Sequence, residues 1–279
     1  MTSVQQNKER LLQFFQGVDR AVVAFSGGVD STLVLAVAYE ALGEKVVAVT
    51  GVSATTAEGE LDQCKRIAQE IGAKHVVFDT PEMEVDEFVA NRPDRCYQCK
   101  RVRLSAIRGY AQDEGVSLVL DGSNADDVGD YRPGKKAVQE FEIVSPLAEA
   151  GMGKPAIREL AKEMGLSNWN QPSNPCLATR IAYELPITSE RMVRIDRAER
   201  WLRTQGIDVC RVRYHEGDLA RIEVPASEIY RWADDEFREA CADEMEACGF
   251  SFASLDLRGF RSGSMNRSIE ATDDQSDES

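Results

Sequence analysis

Lysine and histidine are scarce in this sequence. Its 279 residues include two histidines and nine lysines, so arginine supplies 24 of the 33 basic residues. With 48 acidic residues, the formal net charge is −15. A negative surface repels phosphate backbones, which argues against a nucleic-acid partner, although a local basic groove is compatible with a negative total. Acid excess with few lysines also suits solubility in high salt, so we expect a halophilic source.

Long apolar runs are missing as well. No stretch approaches the ~18 apolar residues of a membrane-spanning helix, and residues 1–15 lack the apolar core of a signal peptide. We therefore expect a cytoplasmic protein with no membrane partner. In a reducing compartment the seven cysteines are expected to be thiols, cluster ligands or core residues rather than disulfides.

Apolar strand segments alternate with helical segments through residues 1–183. The predicted strands are 21–25, 45–50, 75–78 and 117–122, and the helices between them are 31–42, 57–71 and 100–114. This alternation predicts an α/β domain, Rossmann-like, with a parallel sheet covered on both faces.

The pattern changes after residue 184. A helix is predicted at 189–204, a hairpin at 208–215 and 219–224, short helices within 226–248 and a strand at 252–257. We expect a smaller α+β domain over residues 184–261, which binds substrate or forms the oligomer. Residues 262–279 are polar and acidic and predict a disordered tail.

The first predicted strand stops at a glycine loop, "AVVAFSGGVDSTLVLAVA". Glycines let backbone N–H groups approach an anion closely, and a helix start adds unpaired N–H groups and a positive dipole end. No lysine follows, which excludes the Walker pattern. Asp30 fits a magnesium ion that accompanies the anion, or a helix cap. The predicted anion-binding residues are Ser26, Gly27, Gly28, Asp30 and Ser31.

A second acidic motif, "LDGSNADD", follows the fourth predicted strand. Asp126 and Asp127 would lie at the carboxyl edge of the sheet, where open α/β sheets bind ligands. They are candidates to complete a magnesium site with Asp30. The alternative is a solvated acidic turn.

Three cysteines occupy distinctive positions. Cys96 and Cys99 form a CxxC pair, which fits a redox pair, half a zinc site or two cluster ligands. Without a second CxxC, a four-cysteine zinc site is not expected. Cys176 lies between Pro175 and Arg180, and a nearby guanidinium favours the reactive thiolate. The other cysteines are expected to be small buried core residues: Cys64, Cys210, Cys241 and Cys248.

The loop SGGVDS resembles the signature of the PP-loop ATP pyrophosphatases, which use ATP and magnesium. Followed in order by DRCYQCK, GSNADD, KPAIRELAKEMGL, QPSNPCLATRI and RVRYH, it is similar over residues 8–225 to the LarE family of sulfur transferases. That resemblance implies adenylation of a small-molecule pyridinium dicarboxylate mononucleotide and insertion of sulfur. The product is the precursor of the nickel-pincer cofactor. Family members form homo-oligomers.

The resemblance also implies roles for individual residues. Cys176 matches the sulfur-donating cysteine, and with Cys96 and Cys99 it would hold a [4Fe–4S] cluster that carries an added sulfide. In members without the pair, the donor cysteine is itself consumed. Arg211 and Arg213 lie two apart on one strand face, as suits a phosphate. The resemblance assigns them to the substrate phosphate; a solvated strand face is the alternative.

Four further residues complete the candidate list. Glu199 and Glu223 match acidic family positions suggested for metal or substrate contact. His215 is expected to be a surface or hydrogen-bonded histidine, and Trp169 a packing residue. Three rival functions stay open: a PP-loop tRNA thiolase, an amidotransferase-type synthetase and a non-catalytic adenine-nucleotide sensor.

Overall fold

The computed structural model describes residues 3–129, 134–172, 174–261 and 263–266. Most of the predicted tail, 262–279, therefore lies outside the described residues. The chain forms two compact units. The first contains the residues up to 82 and 96–174, and the second contains 83–95 and the residues from 175 onward. The domain boundary predicted at residue 183 stays a prediction about independent folding.

The first unit is built on the predicted parallel sheet. Its strands are β1 (Ala21–Ala24), β2 (Val46–Val52), β3 (Lys74–Asp79) and β4 (Leu118–Leu120). Every pairing is parallel, in the order β3-β2-β1-β4, so the predicted fold class is confirmed. The central strand β1 is apolar along its length because both of its faces are covered.

Helices pack on both faces of this sheet. The elements before residue 164 are α1 (Ser3–Phe14), α2 (Val29–Leu42), α3 (Glu60–Ile71), α4 (Asp86–Val89), α5 (Arg95–Asp113), α6 (Gly134–Glu140), α7 (Pro146–Glu149) and α8 (Lys154–Glu163). On one face Val23 packs with Leu33 of α2 and Leu160 of α8. On the other, Val22 packs with Leu104 of α5. Neighbouring residues of β1 thus serve opposite cores, as strand geometry requires.

Helix α5 begins earlier than the sequence predicts. The predicted start was residue 100, but the helix runs Arg95–Asp113. The CxxC pair contains no helix breaker, and Pro93 precedes the helix start. Cys96 and Cys99 are therefore helical residues rather than loop residues. Across the described residues, no helix combines the length and apolarity that a membrane span requires.

The second unit carries a mixed sheet. Its elements from residue 189 onward are α9 (Ser189–Thr204), β5 (Arg211–His215), β6 (Leu219–Glu223), α10 (Asp235–Ala247) and β7 (Phe252–Leu255). Strands β5 and β6 form the predicted hairpin, and β7 pairs in parallel with β6. The hairpin turn has three residues, 216–218, and Gly217 and Asp218 in it both have positive φ.

Segment 83–95 also belongs to the second unit, although the sequence assigned it to the first domain. The Asn91 side-chain amide donates to the carbonyls of Ala182 (2.8 Å) and Leu185 (2.7 Å). The N–H of Ile187 donates to the carbonyl of Val89 at 2.8 Å. These backbone acceptors lie about ninety residues away in sequence, which local patterns do not reveal.

Candidate functional site

The 26–31 loop joins the end of β1 to the start of α2. Ser31 Oγ donates to the Gly28 carbonyl (3.1 Å) and accepts from the Ser26 N–H (3.3 Å), which closes the loop on itself. Gly28 is the N-cap residue of α2 and provides no side-chain cap. The first N–H groups of a helix have no intrahelical acceptor. N–H groups of this kind can bind an anion, as the sequence predicts for this loop. Asp30 is not the N-cap residue of α2.

Gly27 is the most constrained position of the loop. Its φ is +72°, a conformation that glycine adopts readily, and a Cβ there would lie 2.8 Å from Cys64 Sγ. Cys64 is buried in α3. Burial raises the pKa of its thiol to about 11, so it stays protonated and packs as an apolar group.

Asp30 is held by two partners that lie far away in the sequence. Its Oδ2 accepts from Lys154 Nζ and from Asn124 Nδ2, the latter at 3.2 Å. Its Oδ1 is buried and has no hydrogen-bond partner within the described residues. A carboxylate oxygen of this kind fits a divalent cation.

Lys154 is a residue that the sequence analysis missed. It is the first residue of α8, with a proline in that first turn, and its side chain is 41% exposed. It brings a cation beside a glycine loop that lacks a lysine of its own. The sequence signal was the GKP tripeptide, because proline favours the first turn of a helix and marks Lys154 as a helix-start residue.

Asp126 and Asp127 bind backbone N–H groups. Asp126 Oδ2 accepts from the Lys154 N–H at 2.6 Å, and Asp127 Oδ2 accepts from the Asn124 N–H at 3.0 Å. Among the described residues, no three His, Cys, Asp or Glu side chains form a group that could hold a metal. This holds for Asp30, Asp126 and Asp127 and equally for Cys96, Cys99 and Cys176, so both predicted metal sets stay predictions. Asp126 and Asp127 instead fix the backbone of the residues that contact Asp30.

The seven cysteines are all thiols, and they fall into two groups. Cys96 is exposed, and Cys99 and Cys176 are half-buried. Cys96 and Cys99 are three residues apart in α5 and share one helix face. The remaining four are buried, as predicted. Burial raises the pKa of Cys210 to about 12 and those of Cys241 and Cys248 to about 11.

The backbone around Cys176 is fixed by Arg180. Arg180 Nη1 and Thr179 Oγ1 donate to the Cys176 carbonyl at 3.0 and 2.7 Å. The same guanidinium forms a two-pronged ion pair with Glu199, at 3.0 and 3.2 Å. Burial alone would raise the pKa of Glu199, but the charge and hydrogen bonds of Arg180, together with the charges of Arg211 and Arg203, outweigh it, so the carboxyl pKa lies below its ordinary value. The predicted metal or substrate contact, Glu199, is thus a buried ion-pair partner.

Arg211 and Arg213 are buried rather than solvated. Each is 6% exposed on β5. Arg213 donates twice to Glu223 Oε2, at 3.0 and 2.8 Å. Burial, and then the positive charge of Arg180, lowers the pKa of Arg211 to about 10. The Arg213 guanidinium is thus held in a buried ion pair, and Arg211 lies close enough to Arg180 and Arg213 for their charges to oppose its own.

The two remaining candidates have ordinary contacts. His215 Nε2 accepts from Arg221 Nε at 3.0 Å, so the ring is neutral, and burial lowers its pKa. Trp169 packs against the core of the first unit, and Lys162 Nζ lies 4.8 Å from its ring centroid. Neither geometry points to ligand contact.

Comparison with known proteins extends these observations. A family profile described as "Queuosine biosynthesis protein QueC" matches residues 20–90, which include the 26–31 loop. The chain is 42% identical over 259 residues to an uncharacterised protein of Synechocystis sp., covering 93% of this chain and 96% of that protein. It is 36% identical over 270 residues to the pyridinium-3,5-bisthiocarboxylic acid mononucleotide synthase of Lactiplantibacillus plantarum, covering 96% and 97%.

A likeness to a tRNA-modifying enzyme is shorter. The chain is 28% identical over 189 residues to the tRNA-specific 2-thiouridylase MnmA of Zymomonas mobilis, covering 54% of this chain and 51% of that enzyme. The likeness to the synthase therefore extends over nearly the whole chain, whereas the likeness to the thiouridylase stops at about half.

Proposed function

The chain belongs to the LarE family of ATP-dependent sulfurtransferases, and we propose that it converts the carboxylates of a pyridinium mononucleotide to thiocarboxylates. The product would be the bis-thiocarboxylate precursor of the nickel-pincer cofactor. The near full-length likeness to the synthase of that compound supports this substrate.

The first step is adenylation. A carboxylate oxygen of the substrate attacks the α-phosphorus of ATP, and the bond from that phosphorus to pyrophosphate breaks. The 26–31 loop and the start of α2 face the departing pyrophosphate with N–H groups, which stabilise its charge. Asp30 Oδ1 would hold magnesium, and Lys154 would neutralise phosphate charge.

The second step delivers sulfur through Cys176. Attack of a sulfur nucleophile on the acyl carbon breaks the bond to AMP, which leaves as a stable anion. If Cys176 itself attacks, a thioester forms. Removal of the Cα proton then breaks the Cβ–Sγ bond and leaves dehydroalanine and the thiocarboxylate.

We favour the version in which Cys96, Cys99 and Cys176 hold a [4Fe–4S] cluster. A cluster held by these three residues would supply a bound sulfide as the nucleophile, and the cysteine would not be consumed. The CxxC spacing and the accessibility of these three thiols, against the burial of the other four, support it. Cys96 and Cys99 share a helix face, as two ligands of one cluster require.

Arg211 and Arg213 are proposed to bind the phosphate of the substrate mononucleotide. Their burial and the closeness of several positive charges, which lowers the pKa of Arg211, support this assignment. We also propose a cytoplasmic homo-oligomer adapted to high salt. The excess of acidic residues and the scarcity of lysine support the adaptation to high salt.

One observation carries the proposal: the chain combines the 26–31 glycine loop, which suits phosphates, with three cysteines that are not buried, namely Cys96, Cys99 and Cys176. The test incubates anaerobically purified protein with ATP, magnesium and the dicarboxylate mononucleotide. We expect release of pyrophosphate and AMP, and a thiocarboxylate product by mass spectrometry. Cys176→Ala should still release pyrophosphate but form no thiocarboxylate. Sulfur transfer to tRNA, or no pyrophosphate at all, would refute the proposal.

Iron and sulfide analysis of the same preparation separates the two sulfur sources. The cluster version predicts stoichiometric iron, lost in Cys96→Ala. Near-zero iron, with a mass loss of about 34 Da at Cys176 after turnover as expected for a consumed thiol, would overturn it.

A further inference from the structure

Two side-chain amides hold the carbonyl group of Gly27. Asn168 Nδ2 donates to the Gly27 oxygen at 2.8 Å, and Gln63 Nε2 donates to the same oxygen at 3.2 Å. A carbonyl oxygen has two lone pairs, and both are engaged here. Neither amide lies in the SGGVDS motif, and the mechanism proposed above does not use them.

Both amides are themselves fixed. Asn168 is 6% exposed, and its Nδ2 also donates to Thr32 Oγ1 of α2 at 2.9 Å. Gln63 and Gln171 exchange two hydrogen bonds through their side-chain amides. Asn168 therefore contacts both the loop and the helix that the loop precedes, and it sets the position of one against the other.

The segment that carries Asn168 is anchored in turn to α8. Arg158 donates to the carbonyls of Trp169 (3.1 Å) and Gln171 (2.8 Å). Residues 168–171 are thus tied to a helix by their backbone and to the loop by their side chains. Along the sequence, this segment leads to Cys176.

The consequence lies in the geometry of the peptide bond. In a trans peptide the C=O and N–H groups point in opposite directions. Holding the Gly27 carbonyl therefore aims the Gly28 N–H away from Asn168 and Gln63. Gly28 is the N-cap of α2, so this N–H joins the donors at the helix start that an anion would meet. Without the two amides, this peptide, flanked by glycines, is free to rotate.

We propose that Asn168 and Gln63 are positioning residues that orient the Gly27–Gly28 peptide toward the pyrophosphate part of ATP. The inference rests on the proposed function, because it assumes that the loop binds phosphates. It adds a specific role for the segment before Cys176: that segment sets the phosphate affinity of the loop.

The test compares two ligands by calorimetry on the full chain: magnesium pyrophosphate and AMP. Asn168→Ala should weaken pyrophosphate binding about tenfold, because one aimed donor is lost. Asn168→Asp should weaken it further, since a carboxylate would oppose the Gly27 carbonyl. Gln63→Ala should show a smaller loss in the same direction. The affinity for AMP, which lacks the β and γ phosphates, should change less than twofold.

Asn174→Ala is the matched control. Asn174 lies in the same stretch of chain, and its Nδ2 donates to Glu60 at 2.6 Å on the surface rather than to the loop. Its pyrophosphate affinity should equal that of the wild type.

Three outcomes would overturn the inference. Equal losses for AMP and pyrophosphate would mean that Asn168 supports the fold in general. Unchanged pyrophosphate binding in Asn168→Ala and Gln63→Ala would mean that the peptide needs no amide partner. If the wild type binds no pyrophosphate, the proposed function fails as well, and that result is distinguishable from the other two. Should Asn168→Ala fail to fold, Gln63→Ala decides, because Gln63 is only half-buried.

Discussion

The two proposed anion sites are built in different ways. In the first unit, the neutral amides of Asn168 and Gln63 hold the Gly27 carbonyl of the 26–31 loop, beside the ion pair of Asp30 and Lys154. In the second, buried charges face each other, as in the pair Arg180 and Glu199. Aimed dipoles bind an anion without first burying a charge. Buried arginines must be paired to be tolerated, so a phosphate bound there would compete with their carboxylates.

The largest effect should come from breaking the charge pairing of the second unit. Glu199→Ala leaves Arg180 buried without its partner and should lower the free energy of unfolding by about 3–5 kcal/mol. Urea denaturation measures it. Arg203→Ala removes a 33% exposed partner of the same carboxylate and should cost less than about 1 kcal/mol. Equal costs would mean that burial of the pair does not matter.

The next effect tests the backbone conformation and the packing of the glycine loop in the first unit. Gly27→Ala forces an L-residue to φ +72° and places Cβ 2.8 Å from Cys64 Sγ, so it should destabilise by about 2–4 kcal/mol. Gly28→Ala is the matched change one residue on. Its φ is −74°, and the nearest atom lies 3.5 Å from the new Cβ, so the cost should stay below about 1 kcal/mol. Similar thermal melting shifts for both variants would contradict the packing argument.

A smaller effect concerns Lys154, which forms an ion pair with Asp30 of the 26–31 loop. Lys154→Gln should raise the KM for magnesium ATP about tenfold, since a partly exposed cation near phosphates contributes about 1–2 kcal/mol. Pyrophosphate-release kinetics measure it. Lys162→Gln, near the other end of α8, should leave the KM unchanged. If the KM stays constant while kcat falls, Lys154 acts on the transition state instead.

The smallest effect is a pH dependence of the free energy of unfolding, to which one carboxyl group in each unit contributes. Asp121 in the first unit and Glu199 in the second have lowered carboxyl pKa values. In each, burial is the largest cause and raises the pKa, but neighbouring cations and hydrogen bonds together outweigh it: Lys100 with Ser123 and Ser145 for Asp121, and Arg180 with Arg211 and Arg203 for Glu199. A carboxyl group whose pKa is lower in the folded than in the unfolded protein stabilises the folded state at pH values above its unfolded pKa, which is near 4. This stabilisation is lost as the pH falls through the folded pKa.

At pH 6 the wild type should therefore have a larger free energy of unfolding than Asp121→Asn and Glu199→Gln, and this excess should be lost on acidification to pH 3. The difference in unfolding free energy between wild type and each variant should shrink as the pH falls. Urea titrations at several pH values measure it, and a difference that is constant with pH would contradict the pKa shifts.

Local sequence predicts this fold well where the signal is local. The apolar strand runs, the glycine loop and the helix after it are confirmed, because each depends on residues within a few positions. Contacts across the chain were not predictable. Lys154 reaches Asp30 across 124 positions, and Asn168 reaches Gly27 across 141. No periodicity encodes such pairings. Asp126 and Asp127 lie beside a strand end and predict a metal site; in the structure each accepts a hydrogen bond from a backbone N–H, and the metal stays a prediction.

Segment 83–95 has a consequence for how the protein is made. When a ribosome has synthesised residue 174, every residue of the first unit exists, but the second unit is represented by 83–95 alone. Asn91 then lacks Ala182 and Leu185, and Val89 lacks Ile187. An unfinished chain thus carries an unsatisfied loop in the middle of a completed sheet domain. That loop stays without these partners until residues 182–187 have been synthesised and have left the ribosome.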